Sequence, residues 1–93
     1  MKDIVVGGTI TDGNKIYQIE SRIGKGGFGI IYKALCDSQK FAVKVLDSDN
    51  QRDKLSFRNE FDAAIKINSK HAIKYYYLNE DGKNDYPMFI IME

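Results

Sequence analysis

The sequence predicts an α+β domain in which a five-stranded antiparallel sheet carries one main helix. Three observations lead there. Runs of β-branched and aromatic residues, one in clear alternation with polar ones, are separated by glycine-rich or polar turns. One stretch only, Leu55 to Ile67, has a helical period instead. The order of segments is three strands, a helix and two strands, which suits one helix laid against a sheet.

Residues 1–15 read as a polar lead-in with Gly7-Gly8 and Asp12-Gly13 as turn signals. Tyr17, Ile19, Ser21 and Ile23 then alternate with Gln18, Glu20 and Arg22, the pattern of a strand buried on one face. Four glycines follow between Gly24 and Gly29, and Ile30-Ile31-Tyr32-Lys33-Ala34 returns as a second strand. Cys36-Asp37-Ser38-Gln39 suits a tight connection into a third strand, Phe41 to Leu46. The first three strands form a meander.

Asp47 to Asp53 is entirely polar and rich in helix-capping residue types. In the helix, Phe57, Phe61, Ala64 and Ile65 share one stripe at about 100° per residue, while Arg58, Asp62 and Lys66 lie opposite. Asn68-Ser69-Lys70 closes the helix. Ile73 to Leu78 is a fourth strand, Glu80 to Asp85 a turn, and Tyr86 to Met92 a fifth strand. An apolar strand with no turn after it leads us to expect a fragment.

Composition narrows the function classes. A chain of 93 residues, 43% hydrophobic, admits one small core. Fourteen basic against thirteen acidic residues leave a net charge of +1, which gives no general pull toward nucleic acid or anionic membrane. Tyr75-Tyr76-Tyr77 beside Lys74 would suit base stacking, but the charge balance argues against it, and aromatic residues favour strands in any case. The lone Cys36 excludes a disulfide framework, and His71 has no second His or Cys at metal-binding spacing. The apolar run Met88 to Met92 is too short to span a bilayer, and the first residues do not read as a signal peptide. These features lead us to expect a soluble, cytoplasmic domain.

Gly24-Lys25-Gly26-Gly27-Phe28-Gly29 matches G-x-G-x-x-G. Alone, such a segment is as readily a flexible hairpin tip. A dinucleotide site needs a helix directly after the glycines, whereas Phe28 to Tyr32 favours strand. A Walker loop needs Lys and Ser/Thr where Ile30-Ile31 stands. A third version is a hairpin folded over nucleotide phosphates and followed by a branched residue, here Ile31. Backbone N–H groups must come close to phosphate oxygens there, and a Cβ would hold them off. Phe28 would shield the phosphates from water, and Ile31 would lie against adenine.

The next strand strengthens that version. In Phe41-Ala42-Val43-Lys44, Ala42 and Lys44 point to the same side, so a small residue leaves room for a flat base and the lysine beyond it reaches phosphate. On the helix, Glu60 lies about 60° from Phe57 and about 40° from Ala64, at the border of the buried stripe, whereas Asp62 falls on the solvated face. Of the two carboxylates, geometry therefore places Glu60 nearer the core.

IGKGGFGIIYKA followed by FAVKVL resembles the protein kinase family, and the likeness extends from about Tyr17 to Glu93. His71-Ala72-Ile73 looks like the His-Pro-Asn-Ile segment of that family but departs from it, with Ala in place of Pro and one residue fewer. The resemblance implies a small amino-terminal kinase lobe over residues 16–93 that ends at the hinge, with the second, carboxy-terminal lobe absent. It implies a helix carboxylate as partner of Lys44, a place the geometry gives to Glu60, and Lys44 and Glu60 as catalytic residues. It implies an ATP site formed by Ile23, Gly24, Lys25, Gly26, Gly27, Phe28, Gly29, Ile31, Ala42, Lys44, Met92 and Glu93, with Met92 as gatekeeper and Glu93 as first hinge residue. The parent enzyme would phosphorylate protein Ser/Thr.

The chain contains neither His-Arg-Asp nor Asp-Phe-Gly. The base for the acceptor hydroxyl and the ligands for Mg2+ would come from the second lobe, so these residues alone are expected not to catalyse transfer. An alternative expectation is a stand-alone nucleotide-binding or interaction module derived from such a lobe.

Overall fold

Asp12 closes the turn that begins the sheet. Its Oδ1 accepts from the amides of Asn14 and Lys15 at 2.9 and 2.8 Å, while Gly13 adopts φ +94°. The turn joins β1 (Thr9–Thr11) to β2 (Ile16–Gly26), with Ile10 paired to Tyr17. A computed structural model describes residues 1–26, 29–67 and 71–93. Gly27 and Phe28, assigned to the phosphate flap, and Asn68-Ser69-Lys70, assigned to the helix end, lie outside the described residues.

The sheet therefore has six strands among the described residues, not five. The additional strand comes from the lead-in, whose polar, glycine-bearing composition conceals Ile4 and Ile10. Both are buried, Ile10 to 1% exposure. Two isolated isoleucines carry no period; pairing with β2 places Ile10 in the core, and Ile4 joins the same cluster from outside the strand.

β2 runs back through β3 (Gly29–Cys36), and β3 pairs with β4 (Gln39–Leu46). Only Asp37 and Ser38 separate β3 from β4, both at positive φ (50° and 68°), as a two-residue turn matched to strand twist requires. Helix α1 (Gln51–Ile65) begins four residues before the expected Leu55. Asn50 caps it, its side chain accepting from the Arg52 amide at 2.7 Å, so the polar run is partly helix. The helix stops at Ile65, with Lys66 as its C-cap, before the expected Ile67.

β5 (Tyr75–Asn79) starts two residues later than expected, and β6 is confined to Phe89–Met92. A short 3-10 turn, Lys83–Asp85, and Pro87 occupy the approach to β6. Pro87 lacks the N–H a ladder needs. The strand order is β1-β2-β3-β4-β6-β5, every neighbouring pair antiparallel.

Two clusters divide the core between the faces of this sheet. On one face lie Tyr17, Ile19, Tyr32, Ala34, Val43, Phe89 and Ile91, joined by Ile4 and Ile10. On the other, Phe57 of α1 packs with Leu46, Met88, Ile90 and Met92, and Phe61 borders the group. Phe57 carries the helix anchoring at 1% exposure. Ile65, expected on the same stripe, is instead 53% exposed, and Phe57 is the one buried residue of α1. Arg58 pairs with Glu80 across the loop rather than with a residue of its own helix, and Lys54 pairs with Asp81 at 2.9 Å. Among the described residues no helix is long and apolar enough to cross a membrane.

Candidate functional site

Directly opposed residues of antiparallel strands project to the same face of a sheet. Gly24 of β2 faces Ile31 of β3, and Ile31 faces Lys44 of β4. The glycine hairpin and the lysine therefore share one face, joined by a single cross-strand row. The chain continues from Gly29 as strand β3, so no helix N-terminus follows the described glycines. Lys33, Ala42, Met92 and Tyr75 form a second row on that face, two residues along.

Two glycines of the segment meet different surroundings. A Cβ on Gly29 would stand 2.8 Å from the Val45 carbonyl oxygen and 3.0 Å from Lys44 Cγ, so close strand packing requires glycine there. At Gly24 nothing lies within 4 Å of such an atom, leaving the backbone open to approach from outside.

Lys44 Nζ donates to Glu60 Oε1 at 2.9 Å, an ion pair between β4 and α1. The Lys44 side chain is 14% exposed and that of Glu60 35%, so the pair is shielded without being sealed from water. The ammonium also lies 5.7 Å from the centre of the Phe57 ring, an added cation–π attraction. Glu60 Oε2 accepts a second hydrogen bond, 2.7 Å from the Tyr75 hydroxyl. Burial pushes the Glu60 carboxyl up. The hydrogen bonds from Lys44 and Tyr75, with the Lys44 charge, outweigh that push and hold it below the usual value. Tyr75 moves the other way, to about 12, through burial and then through the hydrogen bond to Glu60 and its negative charge.

Other residues named from the sequence are distributed over this face and its borders. Gly24, Gly26, Ile31 and Ala42 are half-buried, and Met92 is buried in the helix-side cluster. Ile23, at an irregularity of the β2–β3 ladder, is 59% exposed, and Lys25 is exposed. Glu93 is exposed, and its amide donates to the Lys74 carbonyl at 2.8 Å. Gly27 and Phe28 are outside the described residues. The sequence did not point to Tyr75. It reads there as one of three strand tyrosines, and only the pairing of β5 with β6 separates it from Tyr77.

A basic group beside an open glycine backbone suits an anion with several oxygens, and the carboxylate behind that group fixes its direction. Among the described residues no group of three or more His, Cys, Asp or Glu could hold a metal ion.

Comparison with known proteins agrees with this arrangement. The family described as Protein kinase domain matches residues 17–93. Cysteine-rich receptor-like protein kinase 26 of Arabidopsis thaliana is 36% identical over 66 residues, covering 70% of this chain and 10% of that protein. The serine/threonine-protein kinase dst1 of Dictyostelium discoideum is 29% identical over 84 residues, 88% of this chain and 11% of that protein. A probable serine/threonine-protein kinase of Clostridium acetobutylicum is 34% identical over 82 residues, 83% of this chain and 12% of that protein. The chain spans about a tenth of the length of the curated relatives it matches. With its family match running from Tyr17 through the glycine hairpin, Lys44 and Glu60 to Glu93, the chain belongs to the protein kinase family.

Proposed function

We propose that residues 16–93 form the ATP-binding small lobe of a protein kinase whose full-length form transfers the γ-phosphate of ATP to protein Ser/Thr. The observation that carries this reading is the cross-strand row from Gly24 through Ile31 to Lys44, with Glu60 behind the lysine at 2.9 Å. ATP brings the transferable phosphoryl group; this chain contributes binding and electrostatics.

In this reading the open backbone at Gly24 and Gly26 approaches the phosphates. Ile23, Ile31 and Ala42 cover the adenine, with Met92 at its back edge and Glu93 at the hinge. Lys25, Gly27, Phe28 and Gly29 complete the flap. Lys44 neutralises phosphate charge, and Glu60 keeps its ammonium from swinging into solvent. Mg2+ and the base for the acceptor hydroxyl belong to a second lobe, so the 93 residues by themselves do not catalyse transfer. The names of the relatives support Ser/Thr as acceptor. The single thiol, Cys36, buried, supports a reducing, cytoplasmic setting.

Phosphoryl transfer by the full-length protein tests the reading. Lys44→Met and Glu60→Gln should each lower the rate at least about a hundredfold while the fold persists. Unchanged transfer by Lys44→Met would remove Lys44 from the site.

A further inference from the structure

Tyr75 stands where a strand irregularity turns it. β5 pairs Tyr75 with Met92 and then Tyr77 with Ile91, so Tyr76 is an extra residue in the ladder. In a regular strand, Tyr75 and Tyr77 would share a face. The bulge separates them: Tyr77 packs with the cluster containing Phe89, and Tyr75 with the helix-side cluster of Phe57 and Met92. The Tyr75 ring lies 6.3 Å from that of Phe61 and is tilted against it, which fixes the direction of the hydroxyl. That hydroxyl meets Glu60 Oε2 at 2.7 Å while Lys44 holds Oε1.

We propose that Tyr75 is a positioning residue for the Lys44–Glu60 pair: by holding one carboxylate oxygen on β5, it keeps the other turned toward the ammonium on β4. A carboxylate held by Lys44 alone rotates about its terminal bond and follows the lysine. Held at both oxygens, it is fixed against two strands, and the ammonium is fixed with it. The neutral phenol stabilises the carboxylate anion without competing with phosphate for the lysine. The proposal rests on the assignment of Lys44 and Glu60 to the ATP site, but its primary readout does not involve ATP.

The test uses the full-length protein labelled with 13C-carboxyl glutamate, the Glu60 resonance being identified by its loss in Glu60→Gln. Tyr75→Phe keeps the ring and removes only the hydroxyl. The Glu60 titration midpoint should rise in Tyr75→Phe toward the ordinary Glu value, and Tyr75→Leu should raise it too. An unmoved midpoint in Tyr75→Phe overturns the proposal, because a role in packing alone predicts that result. In transfer assays Tyr75→Phe should lower kcat about fivefold, with KM for ATP within about twofold. The same substitution should add nothing in a Glu60→Gln background, and an equal loss in both backgrounds overturns the proposal. If the wild-type protein binds no ATP, the kinase reading fails, and the Glu60 titration still decides the role of Tyr75.

Discussion

Lys44 and Glu60, sixteen residues apart in sequence, meet at 2.9 Å because α1 seats Phe57 in the sheet one turn before the carboxylate. The ion pair is thus a readout of how the helix is seated, and its strength depends on the charge of Glu60.

The stability contribution of Glu60 should follow pH in one direction. Its folded value lies below the ordinary 4.5, so below that pH the unfolded chain takes up a proton more readily than the folded one. The contribution is complete above the ordinary value and is lost as pH falls through the folded value. Urea denaturation at a series of pH values should show the difference between wild type and Glu60→Gln shrinking below about pH 4.5. Tyr75 runs oppositely: its folded value is raised to about 12, so its contribution is complete below 10.0 and fades between the two. A wild-type advantage over Glu60→Gln that stays constant down to the acid end would refute the first statement.

Glycine substitutions should separate architecture from binding. Gly29→Ala forces a methyl against the Val45 carbonyl oxygen and should cost about 1–3 kcal/mol in thermal or chemical denaturation. Gly24→Ala meets open space and should change stability by less than about 0.5 kcal/mol. Its effect should appear in ATP affinity, measured by calorimetry on the full-length protein.

The helix hangs on one side chain. Phe57→Ala should cost about 3–5 kcal/mol, since the residue is 1% exposed in the helix-side cluster. Ile65→Ala, at 53% exposure, should cost less than about 1 kcal/mol. Similar losses for the two in denaturant titrations would contradict the burial pattern of α1.

The β3–β4 turn should be improvable. Ser38 holds φ 68°, a left-handed conformation that disfavours a side chain. Ser38→Gly should raise stability by about 0.5–1 kcal/mol, read as a higher melting temperature, with nucleotide affinity unchanged.

The sheet and helix were legible where one physical signal dominated. Alternation gave β2, with Tyr17 and Ile19 buried as expected, although ladder irregularities beyond Ile19 leave Ile23 exposed. Glu60 emerged from helical geometry, because a stripe anchored by Phe57 fixes which carboxylate borders the core. β1 was not legible: three residues, Thr9–Thr11, carry no measurable period, and their pairing depends on the Asp12 turn and on burial of Ile4 beside them. The start of α1 was hidden because Gln51 to Lys54 are polar, and polar side chains alone, Asn50 as cap and Asp53 held by Ser48, mark the first turn. Ile65 misled in the opposite sense: its spacing puts it on the stripe, yet it is 53% exposed and Phe57 alone is buried on α1. Tyr75 was legible as a strand residue only. Which face it meets is decided by the extra residue Tyr76 in a pairing between distant segments.

The sixth strand lies inside the sheet, between β4 and β5, and all four of its residues are buried. A nascent chain emerging from the ribosome therefore makes the outer strand before the inner one that must hold it. Until Phe89–Met92 is available, β5 has no strand to pair with among the described residues, and Tyr75 lacks Met92 beside it. The β2–β4 meander can assemble early from adjacent segments, whereas the wall carrying Tyr75 waits for its final plank.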